Sequence, residues 1–140
     1  MRGLIFTLML ALGGCVTATD TAHTAALCGA DGETRAVANM YFGRNIGQSL
    51  GVSEEQWRAF VDAEVTPRFG DGLTMYDAAG QWRASETGAI VREPSKVLVL
   101  ILSDEARDRA ALNAIADAYK ARFQQQAVAV LIERDCVTFR

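Results

Sequence analysis

"KVLVLILSD", residues 96–104, decides how the rest of the chain is arranged. From Val97 to Leu102 every position is apolar, with no alternation of apolar and polar residues. An unbroken run of Val, Leu and Ile of this length reads as a strand covered on both faces. Extended upstream it spans 90–102. Ser103 and Asp104 then offer the side-chain oxygens that cap a helix N-terminus. The helix after them carries Leu112, Ile115, Ala116, Tyr119 and Phe123 on one apolar stripe. "AVAVLIERDCVTF", residues 127–139, reads as the last strand.

Working back toward the N-terminus, "ASETG" at 84–88 is turn chemistry, and "GLTMYDAAGQWR" at 72–83 is a strand with a bulge or bend near Gly80. Before it, Ser53 followed by Gln56 forms a capping box, in which each side chain satisfies the other residue's free amide. Trp57, Phe60, Val61, Val65 and Phe69 continue as a helical stripe that Pro67 kinks or ends and Gly70 and Gly72 close off. "AVANMYFG", residues 36–43, is a strand that runs into a loop over 44–52.

The order is therefore strand, helix, strand, strand, helix, strand. That is the α+β ferredoxin-like βαββαβ sandwich, a four-stranded antiparallel sheet with two helices on one face. The first and third strands lie centrally, and the last runs beside the first. Helices cover only one face, so the apolar third strand needs a second cover. Either residues 28–35 or a loop folds back over the open face, or a second subunit packs there in a face-to-face dimer.

The chain starts Met1-Arg2 and continues through Leu4–Leu12, apolar apart from Thr7. That run is short of the roughly 20 apolar residues that span a bilayer. It has the composition of a secretory signal. Leu12-Gly13-Gly14-Cys15 resembles the lipobox of bacterial lipoproteins, which predicts a signal over 1–14 and acylation of Cys15. The resemblance further implies a Gram-negative outer-membrane address, because Val16 and not an aspartate follows the cysteine. Residues 15–27, Thr- and Ala-rich, read as a tether, and 28–140 as one domain. The membrane is thus an expected partner, reached through the lipid.

Export places Cys28 and Cys136 where disulfides persist, and only one intramolecular pairing is open to them. Two free thiols, or metal or redox work, are the alternatives. Redox pairs usually sit two residues apart, a zinc site needs four donors, and the single histidine, His23, lies in the tether. The net charge of −3 becomes more negative when Arg2 is removed with the signal. No basic stripe is left to attract nucleic acid.

Several strings together resemble one family of small exported bacterial proteins: "YFG" at 41–43, Trp57 with "TPRFGDGLT" at 66–74, "GQWR" at 80–83 and "REPSKVLVL" at 92–100. They are similar to the proteins grouped as domain of unknown function 3574, over roughly Met40 to Phe139. Gly70 departs from the proline expected in relatives. The resemblance brings no activity with it.

The polar and aromatic residues within or beside these strings are the candidates for a site: Tyr41, Arg44, Glu64, Arg68, Trp82, Arg92 and Lys96. Glu64 and Arg68, four apart, share a helix face and can pair. Convergence of Arg44, Arg68 and Arg92 beside Tyr41 and Trp82 would make a site for a carboxylate or phosphate, because guanidinium forks bind such groups bidentately. The alternative is that each charge is solvated or in a surface pair. The domain contains no histidine for proton transfer or haem ligation, no phosphate-binding glycine loop and no nucleophile arrangement. No cofactor is expected. Glu64, Asp77 or Tyr41 could serve as acid or base if buried. The reading that follows is a non-catalytic, lipid-tethered envelope module for a small anionic ligand or an envelope protein. Its rival is a small isomerase- or lyase-type enzyme using carboxylate and arginine groups.

Overall fold

The computed structural model describes Cys28, residues 32–84 and residues 87–140. Strand β1 (Glu33–Gly43) leads into a two-stranded hairpin, β2 (Asn45–Ile46) and β3 (Ser49–Leu50). Helix α1 (Glu54–Phe60) and a π-helical turn (Val61–Val65) follow, then β4 (Thr74–Arg83), β5 (Ile90–Leu102), α2 (Glu105–Phe123) and β6 (Ala129–Val137). The main sheet is antiparallel with order β4-β5-β1-β6, which is the expected ferredoxin-like arrangement. The signal segment, Cys15, the tether and His23 lie outside the described residues.

The long apolar run divides by parity. Leu98, Leu100 and Leu102 are buried among the helices, with Ala38, Met40 and Phe42 of β1 beside them. The odd residues of β5 face the other way. There Val97 is buried between its cross-strand partners Tyr41 and Tyr76, while Ile101 is 38 % exposed. The expectation of cover on both faces thus holds fully on the helical side only. Among the described residues no layer lies over the second face.

Phe42 is the hub of the core. Its ring centroid lies 5.1 Å from that of Trp57, 6.2 Å from Phe60 and 4.8 Å from Tyr119, in tilted and edge-on geometries that suit aromatic quadrupoles. Tyr119 sends its hydroxyl to the carbonyl of Gly43 at 2.8 Å. Burial pushes this phenol well above its ordinary pKa, so it stays a donor.

Both helices start where the sequence says they should. The Ser53–Gln56 capping box is complete, with Gln56 N donating to Ser53 Oγ at 3.1 Å and Ser53 N to Gln56 Oε1 at 2.8 Å. Asp104 caps α2 by accepting from Arg107 N. Buried Asp108 adds to it, accepting from the backbone of Ser103 and Asp104. Burial alone would raise the pKa of Asp108. The amide of Asp104, the Arg107 guanidinium and the amide of Ser103 outweigh that and hold the carboxylate ionised.

One local reading needs correction and another needs detail. Gly80 marks no bulge: pairing of β4 with β5 runs without a break from Thr74↔Val99 to Arg83↔Ile90. Glycine there leaves room for Ser95, since a Cβ would stand 2.6 Å from Ser95 Oγ and turn that hydroxyl aside. The first helix ends just before Pro67 as expected, but its last turn widens, with Thr66 N bonding back to Val61 O. Steps of four residues, Val61 to Val65 to Phe69, outrun an α-turn of 3.6 residues. The wider turn keeps Val65 and Phe69 on the core.

Cys28 and Cys136 form a disulfide, with their Cα atoms 5.1 Å apart. It joins the approach to β1 with the end of β6, where Thr34 pairs with Cys136.

Candidate functional site

Arg44 follows β1 directly and organises the excursion that leads to α1. Its amide donates to Pro94 O at 3.0 Å, and its carbonyl accepts from Gly51 N and Val52 N at 2.9 and 3.0 Å. Its Nε then donates to Val52 O at 2.9 Å. The hairpin is thereby closed at its neck, and the next residues, the capping box of α1, are set above the sheet. Glu54 in the first turn consequently reaches down toward Arg44.

A charge cluster results at this corner of the helical face. Glu54 Oε2 lies 2.8 Å from Lys96 Nζ and 3.4 Å from an Arg44 terminal nitrogen, and Arg58 approaches the other oxygen at 3.6 Å. Asp77, directly across from Lys96 in the β4–β5 ladder, meets Nζ at 2.6 Å. The cations are inside and the carboxylates outside: side-chain exposure is 5 % for Lys96 and 10 % for Arg44, against 48 % for Glu54 and 78 % for Asp77.

The ionisation states follow from these contacts. Lys96 is pulled down by burial, but its bonds to Asp77 and Glu54 prevail and raise its pKa above the ordinary lysine value. The Lys96 ammonium lowers Glu54 and Asp77, chiefly by hydrogen bonding. Each group is moved away from neutrality, the opposite of what general acid–base catalysis near pH 7 requires. The cluster can hold charge and orient an ionic partner; it is not tuned to pass protons.

Of the seven candidates, the structure brings Arg44 and Lys96 together on Glu54. Glu64 and Arg68 do pair, at 3.0 Å, but on each other along the exposed side of the π-helical turn. Arg92 is exposed, its carbonyl accepting from Asn45 Nδ2 at 3.4 Å. Tyr41 and Trp82 stand 38 % and 39 % exposed on the open sheet face. Strand alternation explains why the imagined grouping of three arginines beside these two aromatics does not form. Tyr41 and Gly43 share the open face, so Arg44 is turned to the helical side. Glu54 and Asp77 complete the cluster; Asp77, named from the sequence as an acid or base if buried, is instead 78 % exposed and serves as an ion-pair partner. Glu54 reads only as a first-turn residue, and Asp77 needs the strand register to be placed opposite Lys96.

Among the described residues no group of three or more His, Cys, Asp or Glu could hold a metal ion. No helix among them is long and apolar enough to cross a membrane.

The fold and its charged corner define a ferredoxin-like α+β domain with a buried cation pair and one open sheet face. Within that class, the chain belongs to the family described as "Protein of unknown function (DUF3574)", which matches residues 37–139. No curated protein matches it. Among solved structures it is similar to a phage SAM lyase in complex with S-methyl-5'-thioadenosine, at 20 % identity and a TM-score of 0.59, covering 95 % of this chain and 97 % of that one. The apo lyase aligns over the same shares with a TM-score of 0.54. CutA from Synechococcus elongatus is similar at 12 % identity and a TM-score of 0.49, over 75 % of this chain and 80 % of that one. At 20 % identity the likeness to the lyase speaks to the fold alone.

Proposed function

We propose that this is a lipid-anchored envelope protein, held through acylated Cys15, whose domain is a non-catalytic module that binds a small anion at Arg44 and Lys96. One observation carries the binding part: two nearly buried cations converge on a carboxylate, and the outer partner of Lys96, Asp77, is mostly exposed. An incoming carboxylate or phosphate oxygen can take the place of Asp77 on Lys96 without burying a new unpaired charge.

Titration with inorganic phosphate and with citrate, followed by amide shifts around residues 44, 54 and 96, tests it. Saturable shifts are expected in the parent chain. Asp77→Asn, which removes the competing carboxylate at an exposed position, is expected to tighten binding severalfold, and Lys96→Met to abolish it. No saturable shift in either the parent or Asp77→Asn refutes the anion site.

The anchor is tested separately by feeding cells labelled palmitate. Label is expected in the parent and not in Cys15→Ser; equal labelling of both refutes lipidation at Cys15.

The fold it shares with a lyase supports the rival, enzymatic reading. Incubation with SAM is expected to yield no S-methyl-5'-thioadenosine. Its appearance above a no-protein control, with loss in a Lys96→Met chain, would replace the non-catalytic reading with a lyase.

A further inference from the structure

The face of the sheet opposite the helices is unusually apolar for a surface. Tyr41, Tyr76, Trp82, Ile101 and Leu131 are each between 38 % and 48 % exposed, and by strand register and alternation all five lie on this face. Val37 and Val99 fill the centre between them, partly buried. A contiguous patch of this kind marks an interaction surface.

The described residues of the approach to β1 do not cover it. Cys28 is fixed by its disulfide to Cys136, which faces the helical side of the edge strand β6. Gly32 lies against Cys28 and Thr138, since a Cβ there would meet Cys28 O at 2.7 Å and Thr138 Oγ1 at 3.1 Å. From Gly32 the chain enters β1 itself, so the described residues of that segment, Cys28 and 32–35, do not supply the cover.

We propose that a second copy of this chain packs on this face, sheet against sheet. Three features select that occupant. The first is charge: Glu33, Arg35, Glu133 and Asp135 lie toward one end of the face, with Glu133 directly across from Val37, and Glu93 lies toward the other; between them Tyr76, Val97, Tyr41, Val99, Asn39 and Leu131 carry no charge that would repel a second copy. The second is relief. Tyr76 and Trp82 stand up from β4 on either side of Ala78 and Gly80, whose small side chains leave the strand low between them. Bulk beside a hollow on one patch is the self-complementary shape that a two-fold interface needs. The third is area: four strands about 4.8 Å apart and about nine residues long at ~3.3 Å each give about 600 Å² per copy. Twice that reaches the lower end of the range for specific interfaces, about 1,200–2,000 Å².

Cysteine cross-linking of the full chain in cells tests the proposal. Val99→Cys and Ile101→Cys place a new thiol at the middle of the face, and Asn113→Cys places one on the exposed side of α2. On oxidation the two sheet variants are expected to give a reducible band of twice the chain mass, severalfold stronger than in the parent or in Asn113→Cys. Sedimentation of the detergent-solubilised full chain is expected to show a dimer, with Ile101→Asp raising the dissociation constant at least a hundredfold. A parent chain that sediments as a monomer at 100 µM overturns the proposal. So does cross-linking of Val99→Cys and Ile101→Cys to a protein of different mass without any self-linked band, which assigns the face to another partner.

Discussion

A Phe42→Ala chain is expected to lose about 3–5 kcal/mol of stability, a large part of the roughly 5–15 kcal/mol available to a domain. Phe42 is fully buried and in ring contact with Trp57, Phe60 and Tyr119, which come from both helices. Truncation removes the apolar surface of the side chain from the core and also leaves a hole. The hole cannot close cheaply, because β1 is laddered to β5 on one side and to β6 on the other through Met40 and Tyr41, immediately before Phe42. Urea unfolding followed by tryptophan fluorescence reads the effect directly, since Trp57 is in the cluster. The midpoint should fall with little change in slope. Phe139→Ala is the matched control: at 78 % exposure it should stay within about 0.5 kcal/mol of the parent. A loss below about 1.5 kcal/mol in Phe42→Ala would mean that the aromatic cluster is loosely packed.

The same hub shows which parts of the fold were legible. Phe42, Trp57, Phe60, Tyr119 and Phe123 announce themselves by strand or helix spacing, and burial depends mainly on that spacing. The capping box at Ser53 and the cap at Asp104 are equally readable, because capping is local chemistry within four residues. What stayed hidden needs distance information. The hairpin at 45–50 has strands of two residues each, too short for any periodic signal. The ion pair of Lys96 with Asp77 depends on strand register, and that with Glu54 depends on how Arg44 folds the 44–52 excursion back on itself. Gly80 was misread for a related reason: a glycine in a strand can mean a bulge or a close neighbour, and only the third dimension shows Ser95 lying across it. Arg44 and Lys96 were picked out by residue type, while their meeting point could not be.

Removing the disulfide is expected to have the second large effect. A Cys28→Ala/Cys136→Ala chain should lose about 2–5 kcal/mol, with about 4.7 kcal/mol as the value the chain-entropy account gives for a loop of about 100 residues. The sequence separation here is 108. In the native state the bond fixes little that is not already fixed, since Glu33↔Val137 and Thr34↔Cys136 hold the same strand ends together. Its main action therefore falls on the unfolded chain, which it keeps from expanding. Two consequences follow that a purely local role would not produce. The urea slope should rise in the variant, because a freer unfolded chain exposes more surface. Amide exchange should also accelerate by a similar factor at the slowest positions of β1, β5 and α2, far from the cysteines, since all of them exchange through global unfolding. If only residues near 33–36 and 134–137 lose protection and the slope is unchanged, the bond merely clamps a fraying edge, and the stability loss should then be under about 1 kcal/mol. Adding reductant to the parent chain must reproduce whichever pattern the variant gives, because both break the same covalent loop.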